Sequence, residues 1–239
     1  MVDKELFGQY QHALGINADL LKLVVSRLVA DTEGMTDQQR HLYLVANYPK
    51  WVRSFGVIAA NAAADFYQRN RDRFFEGDDD ADGYTAQTAN PISVEWALGD
   101  ISTAEANGIG TLPGIAVAQV MRRADRTMAY NVAHDPSHPR WAIVPNWGAC
   151  GFCVLVASNG FFMHDRPVKV ERHDHCRCQV VADHDTGNPS LEGYNPKAMQ
   201  DAYSKCYDAV RDDLQRRWDA LPDERKAKYL KKGGQGVPS

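Results

Sequence analysis

Apolar positions recur at near-helical spacing through the first half of the chain. Between Tyr10 and Asp31, Leu14, Leu20, Leu21, Val24, Val25 and Leu28 follow a period close to 3.6 and predict an amphipathic helix. Asp31-Thr32-Glu33-Gly34 reads as a stop. Thr36 then offers a helix cap that Gln39 can reciprocate. Pro49 predicts the opening turn of a further helix, because a proline is best tolerated at a helix start. Its stripe is Trp51, Phe55, Ile58, Ala59, Ala62, Phe66 and Tyr67, and the alanines around it allow close helix packing.

Glu76-Gly77-Asp78-Asp79-Asp80-Ala81-Asp82-Gly83 breaks this pattern. Its acids lack the alternating spacing of a calcium loop and the glutamate at the twelfth position, so a solvated loop is expected. Asn90-Pro91, Gly99, Gly108, Gly110 and Pro113-Gly114 then punctuate short helices and turns. Ile115 to Val132 predicts a good helix, with Val117, Val120, Met121, Ala124, Met128 and Val132 on one side and Arg122, Arg123 and Arg126 on the other. After His134-Asp135-Pro136 the composition changes: Trp141-Ala142-Ile143-Val144 and Gln179-Val180-Val181 lean towards strand and flank most of the cysteines. Pro196 to about Leu221 reads as a helix, and Pro222 as the start of another.

The expected fold class is α+β, mainly α. A helical scaffold spans residues 1–139, a small Cys/His-clamped module with short strands 140–185, C-terminal helices 186–232 and a flexible tail 233–239. Phe152, Leu155, Phe161, Phe162 and Val180 are the expected core of the small module. A unit of about 40 residues buries too little surface to be stable unaided, so a bound metal would supply much of its stability.

Charge narrows the class. There are 27 Lys plus Arg against 31 Asp plus Glu, a net charge of −4, which excludes a uniformly basic nucleic-acid binder. No stretch approaches the roughly 18 apolar residues that span a bilayer, so no membrane partner is expected. Met1-Val2-Asp3-Lys4-Glu5 is acidic and does not read as a secretory signal. A reducing compartment is therefore the expectation, where clustered thiols are metal ligands or buried hydrophobes more often than disulfides.

The specific chemical signal is Cys150-Gly151-Phe152-Cys153, followed after 22 residues by Cys176-Arg177-Cys178, with His173 and His175 just ahead. Two cysteines two residues apart can turn both sulfurs onto one ion. A Cys-x-Cys on extended chain puts both side chains on one face, because strand side chains repeat every two residues. Four thiolates make a closed tetrahedral zinc site, and His173 or His175 can replace one of them or support the ligands from behind. An unmetallated thiol core and a catalytic centre remain open at this level. A zinc deaminase signature, a His-Glu-x-x-His motif, a P-loop and a dinucleotide fingerprint are all missing, and no small-molecule substrate is evident.

The stretch Val144-Pro145, Cys150-Gly151-Phe152-Cys153, Ala157-Ser158-Asn159-Gly160-Phe161 and His173-Asp174-His175-Cys176-Arg177-Cys178 resembles the core of MuF-like minor capsid proteins, head-morphogenesis proteins of tailed phages and prophages of actinobacteria. The specific likeness covers about 40 residues; Ile143 and Asn159 stand where that family usually has arginine. The resemblance implies a structural protein of the virion, assembled in the host cytoplasm, with portal and major capsid proteins as partners and packaged DNA as a further contact. Two alternatives accompany it. One is a metal-dependent nuclease or toxin-like enzyme using His173 and His175. The other is a DNA-binding accessory protein using the basic run from Arg211, which holds eight basic residues against five acids.

Overall fold

The computed structural model describes residues 1–78, 83–146, 149–161, 176–220 and 222. It is mainly helical with one small antiparallel sheet, as the hydrophobic pattern predicts. Helix α1 runs Lys4–Ala30, α2 Asp37–Phe74, α3 Val94–Asn107 and α4 Leu112–His134, with a 3-10 turn at Ile109–Thr111. Strand β1 is Arg140–Val144, α5 Gly151–Ala157, β2 Gln179–Asp183 and α6 Pro196–Asp219.

Local sequence sets the helix starts. Asp3 caps α1 by accepting from the Leu6 N–H at 2.8 Å. Thr36 and Gln39 cap α2 reciprocally, satisfying backbone donors that a helix start leaves unpaired. Pro49 does not open a helix: it lies inside α2, which runs unbroken for 38 residues. Leu44, Tyr48 and Val52, buried at four-residue steps on both sides of the proline, hold one continuous apolar face against α1 and α4. Packing along that face outweighs the lost backbone hydrogen bond.

Helices α1, α2 and α4 form the core of the bundle, α3 packs on α2 and α4, and the β1–β2 hairpin lies against α4 and α2. One apolar cluster runs from Leu6 and Phe66 through Met121 and Met128 to Trp141, Val180 and Cys178. Its aromatic centre includes Tyr10 stacked on Phe66 at 4.7 Å. Because α4 has neighbours on several sides, it is buried over most of its surface, and of the basic side Arg123 is buried, Arg122 half-buried and Arg126 exposed.

A buried polar knot fixes the hairpin on the bundle. The Tyr67 hydroxyl and the Arg71 Nε of α2 both donate to Asp135 Oδ2, at 2.8 and 3.0 Å, and the Ser137 N–H donates to Asp135 Oδ1 at 2.9 Å. Asn70, one residue before Arg71, accepts from the Asp3 N–H and donates to the Ala182 carbonyl in β2. His184, just past β2, lies 3.0 Å from Ser137 Oγ through Nδ1, and its ring packs edge-on to Tyr67. Its Nε2 is buried without a partner.

Burial pushes the His184 imidazole down to about 4, and the nearby Asp135 carboxylate only partly offsets this. The folded chain thus holds His184 neutral, while an unfolded chain protonates it near 6.5. Below that value the unfolded state binds more protons, so stability falls as pH drops from about 6.5 towards 4, by up to about 3 kcal/mol. Asp135, held below the usual carboxylate range by its donors against the opposing pull of burial, adds a further loss only at lower pH. Urea unfolding at successive pH values should show this decline in the wild type and a flatter profile in His184→Asn. Identical slopes would assign the acid sensitivity elsewhere.

Candidate metal centre

The ladder that builds the hairpin also assembles the thiols. Val144 pairs with Gln179 at the open end of the sheet, so the chain leaving β1 and the chain entering β2 start side by side. Cys176 and Cys178 sit on the extended approach to β2, both buried, while Arg177 between them turns outward to pair with Asp19 of α1. Cys150 occupies the cap position of α5 and Cys153 its first turn, so the Cys-x-x-Cys opens a short helix instead of a plain tight turn. Phe152, expected in the core, faces solvent because its place in that turn is opposite Cys153.

Cys153, Cys176 and Cys178 bring their sulfurs within 4.8 Å of one another, all three buried. The Cys153 and Cys176 sulfurs are 3.6 Å apart. That is far beyond a disulfide bond of about 2.05 Å. It is close to the roughly 3.8 Å that a tetrahedral ion imposes on sulfurs about 2.3 Å away. The donor set therefore fits a thiolate-bound metal. Cys150 is exposed and lies outside this three-thiol group, at its mouth, where it interacts with the Cys153 sulfur. His173 and His175 lie outside the described residues, as do Phe162 and positions 79–82 of the acidic loop.

The electrostatics suit an ion. Burial, followed by the neighbouring thiols, pushes Cys153 up to about 12, even though Cys178 pulls the other way. Cys178 is raised too, first by its hydrogen bond with Cys176 and then by burial, while the Asn146 backbone opposes the shift. A thiol so placed stays protonated at neutral pH, and only a cation brought among the sulfurs makes three thiolates favourable there.

Sequence reasoning missed Asp135, His184 and Ser137, whose partners come from helices and strands far apart in the chain. They do not form a hydrolytic relay. Both Ser137 Oγ and Asp135 Oδ2, the latter at 3.8 Å, approach the same ring nitrogen of His184, whereas a relay needs them on opposite nitrogens.

The cluster predicts an order of reactivity. In chelator-treated protein at pH 7, mass spectrometry after iodoacetamide should find exposed Cys206 and Cys150 alkylated well before Cys153, Cys176 and Cys178. Equal rates at Cys153 and Cys206 would contradict the burial and the raised thiol.

The model of a family described as VG15 protein matches residues 1–206 of the chain. No curated protein and no solved structure matches the chain. The family match takes in α1 to α5, both strands and every cysteine of the cluster. With that span covered, the chain belongs to the VG15 protein family, a family of viral gene products, and is a phage-related protein.

Proposed function

We propose that this chain is a structural protein of a phage or prophage head, a MuF-like minor capsid or head-morphogenesis protein that docks on the portal and the inner face of the shell. Membership in a viral family supports the reading, as does the Cys-x-Phe-Cys and Cys-x-Cys pattern that carries the likeness.

The observation that carries it furthest is the outer face of the α1–α2 pair. Ile16, Leu20 and Leu23 of α1 and Ile58 of α2 are each about half exposed or more, and Trp51 and Phe55 beside them are half-buried. The Leu20 and Ile58 positions continue the helical stripes, yet nothing among the described residues covers them. Apolar side chains grouped on one helical face, unlike singly scattered ones, are typical of protein contact. The nuclease and DNA-binding alternatives draw on His173, His175 and a basic run that continues beyond residue 222, and no described observation favours either.

In this reading one zinc ion clamps the small module. Cys153, Cys176 and Cys178 supply three ligands and Cys150 the fourth from the mouth, with His173 or His175 as the alternate. A tetrahedral zinc centre of this kind contributes folding free energy, not catalysis. The protein acts in the assembled head after association in the host cytoplasm.

Purified protein should contain about one zinc per chain, and Cys176→Ser should lose it while circular dichroism stays largely helical. Co-expression with the portal and major capsid proteins should then give heads that lack the Cys176→Ser chain. The outward Leu20→Lys, Leu23→Lys variant should fold normally and also fail to enter heads. Full incorporation of both variants would overturn the docking reading. Magnesium-dependent plasmid cleavage that is lost in His173→Ala, His175→Ala would replace it with the nuclease.

A further inference from the structure

Two arginines of the bundle are equally buried and differently treated. Arg71 and Arg123 are each 3% exposed. Arg71 pairs with Asp135 and lies over the rings of Phe75 and Tyr84, at 4.8 and 5.6 Å. That is what a structural buried guanidinium requires: a counter-charge and filled donors. Arg123 has neither. Its Nε and Nη1 are sealed from solvent and have no hydrogen-bond partner. Among the described residues no carboxylate pairs with it, and the charge acting on it is Arg126, of the same sign.

The place is defined by three elements. The Arg123 side chain leaves α4 beside Gly56 of α2, its Cγ 3.8 Å from where a β-carbon on Gly56 would stand, next to Ile92 at the entry to α3. One turn further along α4, the Arg126 guanidinium covers the face of Trp96 at 3.9 Å from the ring centre. Arg53 of α2 contributes positive charge at the same end of α3, where it acts on Glu95. Burial and then Arg126 push the Arg123 guanidinium down to about 10, the direction expected of a cation lacking its anion.

We propose that Arg123, with Arg126 beside it, is the receptor for a carboxylate presented by an acidic segment of a partner protein. Nη2 is the one Arg123 nitrogen that is not sealed. An arriving carboxylate can accept from this open Nη2, while Nε and Nη1 behind it contribute charge and not contacts. Around the recess, Trp96, Val94 and Val57 expose apolar surface. Arginine and tryptophan in a mostly apolar rim are the composition of energetic centres in protein interfaces. A nucleic-acid backbone suits the place less well. It is gripped by a row of exposed cations along an open track, and here the key cation is recessed in a chain of net charge −4. The choice of a protein partner rests on the assembly reading; the anion receptor rests on the surroundings of Arg123 alone.

The full-length chain tests this without any phage component. In chloride buffer, Arg123→Met should keep or raise Tm, because it removes an uncompensated charge, whereas Arg71→Met should lower Tm sharply. By fluorescence anisotropy, a labelled peptide of alternating glutamate and leucine should bind wild type about tenfold more tightly than its glutamine counterpart. That preference should vanish in Arg123→Met and weaken in Arg126→Gln. A Tm loss in Arg123→Met as large as in Arg71→Met would overturn the proposal in favour of a structural arginine. Equal binding of the two peptides would overturn it as well. So would Arg123-dependent binding of duplex DNA without peptide preference, which would assign the recess to nucleic acid. The head-incorporation result for Leu20→Lys, Leu23→Lys bears on the assembly reading and leaves these outcomes unchanged.

Discussion

The Asp135 carboxylate, wholly buried at the end of α4, is the constraint on which the arrangement of the rest depends. A charge in that position is tolerable only with several donors aimed at it. Tyr67 and Arg71 of α2 and the backbone of Ser137 provide them. These contacts set where the chain leaves α4 and therefore where β1 begins. Asn70 repeats the constraint from the neighbouring position by holding the Ala182 carbonyl of β2. The hairpin is thus fixed at both strands to one turn of α2, and with it the direction from which Cys176 and Cys178 enter the sheet.

The thiol cluster follows from that geometry. Between β1 and β2 the chain makes a long excursion in which α5 is the only described regular element. Excursions of this length need something to hold them, since apolar burial along them is sparse. Phe161 and Ala157 are buried and Tyr194 donates to the Ala157 carbonyl, but Phe152 faces solvent. Among the described residues, three buried sulfurs at the root of the excursion supply a further point of closure. In the helical bundle Leu14, Leu21, Leu44, Tyr48, Met121 and Met128 are almost wholly enclosed.

Two features of the surface bear on what the protein does. The α1–α2 face exposes apolar side chains at positions whose spacing matches that of the core, and Arg123 carries a charge that no carboxylate among the described residues compensates. Each costs stability in isolation, and contact with another protein is what we propose for both. Fold alone would not license that conclusion; it comes from particular side chains.

The sequence by itself determined the mainly helical class, the Thr36–Gln39 cap, the two strands flanking the cysteines and the pairing of Cys-x-x-Cys with Cys-x-Cys. All of these are written in local periodicity, in capping chemistry or in short spacings. Of the four thiols expected together, Cys153, Cys176 and Cys178 meet, because a Cys-x-Cys on extended chain can face only one way, while the exposure of Cys150 was not legible. Tertiary structure alone decided the passage of α2 through Pro49, since the apolar face that carries it is completed by α1 and α4. It also decided the burial of Arg123 and the exposure of Leu20 and Ile58. A hydrophobic stripe states that a face is apolar and not which neighbour covers it, and α4 has neighbours on several sides while the outer face of α1 has none among the described residues. The Asp135 knot was invisible for the same reason: Tyr67, Asp135 and His184 are far apart in sequence, and only the packing of helix against hairpin brings them within hydrogen-bonding reach.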